Sequence, residues 1–193
     1  MKKLRGTYTV IVTPFTEDGA KINETMLRWL VDFQISEGIH GIITLASNGE
    51  FLSLSDEERH EVARIVVDQA DGRVPVVVGT AAESTTDVIR YTKDAESVGA
   101  DAAMVLTPYY CWIDDNEIFE HYKQIAEAVS LPIMIYNHPA STVLDMKPPL
   151  IARMAEIDNI SYIKESTTDT RRVYQINDLC GDKITVFAGY LGY

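Results

Sequence analysis

Short apolar runs rich in β-branched residues recur along the chain, at Thr7–Phe15, Gly41–Ser47, Val74–Thr80, Ala102–Pro108, Pro132–Asn137, Ser161–Glu165 and Ile184–Gly189. Several are continuously apolar instead of alternating, which predicts strands buried on both faces of a parallel sheet. Between them, apolar positions follow the helical period: Leu27, Leu30, Val31 and Ile35; Val62, Ile65 and Val66; Val88, Tyr91 and Ala95; Ile118, Tyr122, Ile125 and Val129. Ser55-Asp56-Glu57-Glu58 is a capping-box pattern ahead of one such stretch, and Ser84-Thr85-Thr86-Asp87 is a near-variant ahead of another. Gly38, Gly72 and Gly99 fall where helices should stop.

Strand, helix, strand, repeating about every 30 residues, is the βα unit. Two architectures fit seven such strands, an open doubly wound sheet and a (β/α)8 barrel. A dinucleotide-binding sheet should carry G-x-G-x-x-G after its first strand, and here that strand runs into Thr13-Pro14-Phe15-Thr16. No Walker-type phosphate loop occurs either. The expectation is therefore an α/β protein, a (β/α)8 TIM barrel, read as a single partial domain over residues 1–193. A typical barrel takes about 250 residues. Leu191-Gly192-Tyr193 follow directly on the seventh strand, so the last strand and the C-terminal helices are expected to lie outside this sequence.

Charge narrows the function. Asp and Glu number 29 against 17 Lys and Arg, a formal net charge of −12, which disfavours binding to nucleic acid or to anionic membranes. No apolar run approaches the roughly 20 residues of a membrane span. The basic start is followed by Thr7-Tyr8-Thr9, not by the apolar core of a signal peptide. Cys111 and Cys180 stand far apart in no metal-ligand spacing, as free thiols of a reducing compartment would. A cytoplasmic location is the expectation.

Catalytic groups of a barrel gather at the carboxyl ends of its strands. Lys164 ends the sixth run, and by alternation shares a face with Ile160 and Tyr162. A lysine at the mouth of an apolar barrel loses hydration, which lowers its pKa and frees an amine able to form a Schiff base with a ketone. The plainer alternatives are a stem that snorkels to solvent or an ion pair with Glu165. Tyr136 ends the preceding strand at the same level. Its phenol can move protons near a carbinolamine, or can be an ordinary core tyrosine bonded to backbone. In Ser47-Asn48-Gly49-Glu50 a hydroxyl, an amide and backbone N–H groups could hold an anionic oxygen, with Gly49 permitting close approach or a positive φ; an ordinary βα turn is the alternative.

Four motifs in one order and spacing carry a resemblance: Ser-Asn-Gly-Glu-Phe from Ser47, Thr-Pro-Tyr-Tyr from Thr107, Tyr-Asn-x-Pro from Tyr136, and Ile-Lys-Glu-Ser from Ile163. Together they resemble the dihydrodipicolinate synthase / N-acetylneuraminate lyase family of class I Schiff-base barrel enzymes, from about Gly6 to the end of the chain. Chains of that family normally continue for about another hundred residues, through the last barrel strand and a helical region. The resemblance implies that Lys164 is the Schiff-base lysine and that Tyr136 shuttles protons at the imine. It implies that Ser47 and Asn48, with Gly49 in the same turn, hold the carboxylate of a 2-oxo acid, Ser47 also relaying a proton. Tyr110 corresponds to a relay tyrosine often presented to a neighbouring subunit, and Thr13-Pro14-Phe15 to a first-strand motif. No cofactor and no metal are implied. A homo-oligomer, dimer or tetramer, is.

Two positions depart from the pattern. Ala46 stands where a glycine usually opens the turn. Ser141 stands where synthases of the family commonly carry an arginine for the second substrate's carboxylate, and serine cannot make that charge-assisted fork. On this ground, and with Asn137, His138 and Thr142 nearby for hydroxyl groups, the expected substrate is a 2-oxo-3-deoxy sugar acid, cleaved or dehydrated. His138 is counted as a substrate-binding residue. The alternative is 4-hydroxy-tetrahydrodipicolinate synthase, condensing pyruvate with aspartate semialdehyde. A reading of another class is a non-catalytic fragment.

The remaining polar signals are read as structural. His60-Glu61 lacks the second histidine of a zinc motif, since Arg64 occupies its place. Asp114-Asp115-Asn116-Glu117 suits a helix N-terminus. His40 and His121 are expected to be structural or solvated, and Cys111 has no nucleophilic role.

Overall fold

The computed structural model describes residues 4–189; the Leu191-Gly192-Tyr193 segment discussed above lies outside them. The strands are β1 (Tyr8–Val10), β2 (Gly41–Thr44), β3 (Val76–Gly79), β4 (Ala102–Leu106), β5 (Ile133–Asn137), β6 (Ile160–Glu165) and β7 (Thr185–Ala188). The helices are α1 (Glu24–Ser36), α2 (Asp56–Ala70), α3 (Thr85–Ser97), α4 (Asp115–Ala128), α5 (Pro139–Thr142), α6 (Pro148–Met154) and α7 (Arg171–Cys180). Strand order follows chain order from β1 to β7. The pairs β1–β2, β2–β3, β5–β6 and β6–β7 are parallel. Parallel neighbours joined by helices are the succession of a (β/α) barrel, with seven of its eight strands among the described residues.

Two compact units divide the chain, one of residues up to 79 with 94–103, the other of 80–93 with 104 onward. In the first, β2 and β3 are buried at every position, and Leu27, Val31, Val62, Ile65 and Val66 bury one stripe each of α1 and α2. In the second, Val105, Ile133, Ile135 and Ile163 of the strands form one apolar cluster with Tyr122, Ile125, Ile151 and Ile176 of the helices. Tyr122 buries its ring there and donates its hydroxyl to the Val105 carbonyl at 2.7 Å, which removes the cost of a buried polar group.

The caps form as expected. Ser55 and Glu58 close a reciprocal capping box on α2, and Asp114 and Glu117 close another on α4. The acidic run at Asp114 is therefore a helix start. Ser84 accepts from the Asp87 N–H at 3.1 Å. Gly38, Gly72 and Gly99 all take positive φ, where a side chain would be strained.

Three elements differ from the sequence expectation. Strand β1 ends at Val10 and not at Phe15: Ile11 still donates to the Ile43 carbonyl at 3.0 Å, but Pro14 has no N–H to continue a ladder. Thr16 and Lys21 then close a local turn, with Phe15 and Ile22 bridged antiparallel. Strand β2 stops at Thr44 because Leu45 takes φ 55°, turning the chain out of the extended region. The connection from β5 to β6 holds two short helices, each opening on proline, where one was expected. Gly79 has a requirement that no motif revealed. A Cβ there would sit 2.0 Å from the Leu45 carbonyl oxygen, so only glycine fits beneath that turn.

Candidate active site

Lys164 and Tyr136 are cross-strand partners in the parallel register of β5 and β6, each one residue from its strand's carboxyl end. Both are buried, Lys164 at 8% and Tyr136 at 6% exposure. The Lys164 ammonium lies over the Tyr136 ring, 4.1 Å from its centroid. It therefore neither snorkels to solvent nor pairs with Glu165, which alternation sends to the opposite face. Desolvation lowers the Lys164 pKa from 10.5 to about 8. At neutral pH that raises the neutral-amine fraction from about 1 in 3,000 to about 1 in 10. An amine so poised is a nucleophile for a carbonyl.

His138 extends the arrangement. Its ring stacks on Tyr136, with centroids 5.3 Å apart and planes 16° from parallel. Desolvation, and then the positive charge of Lys164, hold its pKa below the ordinary value. The Nδ1 atom of His138, the Oγ1 of Thr107 and the Oγ of Ser166 are buried without a hydrogen-bond partner among the described residues. From β7 the chain arrives at Gly189, whose N–H donates to the Glu165 carbonyl at 2.7 Å. A Cβ there would press on the Lys164 stem at 2.8 Å and on Ser166 Oγ at 2.1 Å, so Gly189 leaves room for the lysine. Gly189 was not singled out from the sequence, and Thr107 only as the first residue of a motif, with no role given to it. The signal available was their position at the ends of the seventh and fourth strands.

The Ser47-Asn48-Gly49 turn belongs to the first unit and forms a 3-10 turn with Ser47 and Asn48 exposed. Thr13 secures it by donating its hydroxyl to the Gly49 carbonyl at 2.8 Å. This gives the Thr-Pro-Phe motif a structural task. Gly49 eases a close approach and takes no positive φ: a Cβ there would lie a tight 3.3 Å from the Ile11 carbonyl oxygen, while Leu45 and Glu50 supply the positive φ values. Ala46 sits at φ −98°, extended backbone that alanine adopts freely, which explains why the usual glycine is dispensable.

Tyr110 is 85% exposed and Trp112 82%, so these rings do not cap the strand ends of their own chain. The loop is held by Glu83, whose carboxylate accepts from the N–H groups of Tyr109 and Tyr110 at 2.9 and 3.0 Å. Asn137 and Thr142 are not free for a ligand. Asn137 is fully buried and bonded to Glu165 and Met146, and Thr142 donates to the carbonyls of His138 and Leu144. That corrects the expectation that they would meet substrate hydroxyls. In the segment after the lysine, Arg171 pairs with Asp169 and Arg172 with Asp145. His40 accepts from the Thr7 N–H at 3.1 Å. His121 meets Thr85 Oγ1 at 2.9 Å, and burial pushes its pKa down to about 4. Among the described residues no cluster of His, Cys, Asp and Glu could hold a metal ion, and no helix is long and apolar enough to cross a membrane.

A parallel (β/α) succession, with a desolvated lysine on its sixth strand lying over the ring of a tyrosine of the fifth, defines an α/β protein of the barrel class. The chain belongs to the dihydrodipicolinate synthetase family, whose model matches residues 3–192. It is 44% identical over 185 residues to the 4-hydroxy-tetrahydrodipicolinate synthase of Geotalea uraniireducens and 40% identical to that of Syntrophobacter fumaroxidans, covering 96% of this chain and 63% of each relative. Among solved structures it resembles the chloride-inhibited dihydrodipicolinate synthase of Acinetobacter baumannii complexed with pyruvate, with TM-score 0.93 and 38% identity over 95% of this chain and 63% of that one. A prophage protein of the same family from E. coli K12, in complex with pyruvate, matches with TM-score 0.90 and 32% identity over 94% of this chain and 62% of that one. The chain thus spans about 63% of the length of the curated relatives it matches.

Proposed function

We propose that the protein is a class I lyase that binds pyruvate as a Schiff base on Lys164 and joins it to an aldehyde. The observation that carries this reading is the buried Lys164 over the Tyr136 ring, its pKa lowered to about 8. The neutral amine adds to the C2 carbonyl, water leaves, and the imine draws electrons from C3. Loss of a C3 proton gives an enamine whose carbon attacks the aldehyde. Tyr136 moves the protons that the addition and dehydration require. Following the resemblance, Ser47, Asn48 and the Gly49 backbone hold the 2-oxo acid's carboxylate, and Ser47 relays a proton. His138, stacked on Tyr136, contacts the substrate.

Relatives named 4-hydroxy-tetrahydrodipicolinate synthase favour aspartate semialdehyde as that aldehyde over the sugar-acid reading derived from the sequence. The sugar acid keeps one observation in its favour: Ser141 is exposed and carries no charge where an arginine would clamp a carboxylate. Pyruvate with borohydride is expected to add one reduced adduct to the native protein by mass, and none to Lys164→Ala. An adduct surviving that substitution rejects the reading. Turnover of aspartate semialdehyde against a 2-oxo-3-deoxy sugar acid decides between the two substrates.

The exposed Tyr110 and Trp112 are read as surface for a second copy of the chain, since tyrosine and tryptophan are enriched at such interfaces. Tyr110→Phe is expected to lower turnover and leave sedimentation unchanged. A fully active monomer would end this part of the proposal.

A further inference from the structure

One residue beyond Lys164 and Tyr136, β6 and β5 carry a second partnered pair, Glu165 and Asn137. Alternation turns these two side chains to the opposite face, and both are 0% exposed. Asn137 Nδ2 donates to the two Glu165 oxygens at 3.0 and 3.3 Å, and the Thr167 N–H donates to Glu165 Oε1 at 2.8 Å. Asn137 Oδ1 accepts from the Met146 N–H at 3.1 Å, and its Nδ2 lies 3.3 Å from Asp145. Asp145 in turn accepts from Arg172 Nη2 at 2.6 Å, while Arg172 Nη1 donates to the Met146 carbonyl at 3.0 Å. A polar chain therefore runs unbroken from β6 through β5 and the segment before α6 to α7.

A fully buried carboxylate is costly, and hydrogen bonds at best offset that cost; an apolar pair would fill the same face more cheaply. What the polar pair supplies is direction. Lys164 and Tyr136 sit one residue from their strand ends, and beyond the paired strands the backbone is joined by Ser166 N–H to the Asn137 carbonyl at 2.9 Å and Gly189 N–H to the Glu165 carbonyl at 2.7 Å. We infer that Glu165 and Asn137 are positioning residues, whose cross-strand hydrogen bonds fix Lys164 over the Tyr136 ring and which Asp145 and Arg172 anchor to α7. The inference rests on Lys164 as the imine-forming amine. It adds that the same two strand ends are fastened from behind, so the amine is held in its apolar setting and cannot turn outward to water. Facing Lys164 are the Tyr136 ring of β5 and His138 just after that strand, and Phe187 and Gly189 from the β7 side.

Glu165→Gln tests this with little change of volume. Thr167 keeps the amide oxygen at the Oε1 position, which sets the new NH2 against Asn137 Nδ2, donor to donor. The rate of pyruvate adduct formation under borohydride is expected to fall about tenfold or more. Its pH midpoint is expected to rise from about 8 toward that of an ordinary lysine, as the loosened amine is rehydrated. A role in stability alone would lower the melting temperature and leave the midpoint of the folded protein in place. Arg172→Lys keeps the charge and loses the fork, and should shift both readouts in the same direction by less. It decides the matter if Glu165→Gln does not fold. Either variant, folded and with native rate and midpoint, overturns the inference. If the native protein itself forms no adduct, the imine reading and this one fall together.

Discussion

Lys164→Met is expected to abolish the pyruvate adduct and, at the same time, to stabilise the fold at neutral pH. The native lysine holds its charge at a site 8% exposed, and the fall of its pKa from 10.5 to about 8 measures what that costs. The difference corresponds to roughly 3 kcal/mol against the charged form. Methionine has similar length and no charge to desolvate, so most of that cost disappears, less the lost attraction of the ammonium to the Tyr136 ring, worth about 1 kcal/mol. The sign follows from proton linkage. Below pH 8 both the folded and unfolded chains hold the proton, and the full penalty applies. Between 8 and 10.5 the unfolded chain binds more protons than the folded one, so the native protein gains stability as pH rises. The advantage of Lys164→Met in denaturant melts should therefore be greatest below pH 8 and vanish toward pH 10.5. A variant no more stable than the native protein at pH 7 would show that Lys164 is hydrated after all. A site that is unfavourable to the fold and favourable to the chemistry is the usual exchange between stability and activity.

Tyr136→Phe is expected to lower turnover by about 10²- to 10⁴-fold, the range for removal of a positioned proton-transfer group. The ring remains, and with it the surface that Lys164 lies over at 4.1 Å and the face that His138 stacks against at 5.3 Å. The pH midpoint for trapping should therefore stay near 8, and the adduct should still form, more slowly. This separates the hydroxyl from the ring. Near-native turnover in Tyr136→Phe would make the tyrosine a packing residue whose only contribution is to exclude water. A midpoint displaced upward would instead show that the hydroxyl helps to set the lysine's environment.

Several features were legible because they are local. Continuous apolar runs marked the strands, since a strand buried on both faces has no polar side to alternate. Ser55 with Glu58, Asp114 with Glu117, and the glycines at 38, 72 and 99 announced helix ends, because caps are satisfied by residues within one turn. Lys164 and Tyr136 were legible as a pair because parallel register places the ends of neighbouring strands at one level. The preference for a sugar acid lost one of its two supports, the assumption that polar residues near the site face the substrate. Asn137 follows Tyr136 directly, and the two-residue period of a strand sends it to the other side, into bonds with Glu165 and Met146.

The amino-acid sequence by itself determined the order of strands and helices, the helix caps, the family through four short motifs, and the lysine and tyrosine that face one another. These depend on composition and on neighbours a few residues apart. Only the tertiary structure decided that Gly79 must clear the Leu45 carbonyl, that Gly189 must clear the Lys164 stem, and that Thr13 ties down the Gly49 turn. It alone joined Arg172 of α7 to Asp145, and Asn137 to Glu165, behind the reactive pair. Those relations span 25 to 36 positions along the chain, and the desolvation that brings Lys164 to about 8 is the sum of everything packed around it. Hydrogen bonds and burial at such separations are properties of a folded backbone, which brings carbonyls and side chains together without leaving a periodic trace in the residues that carry them.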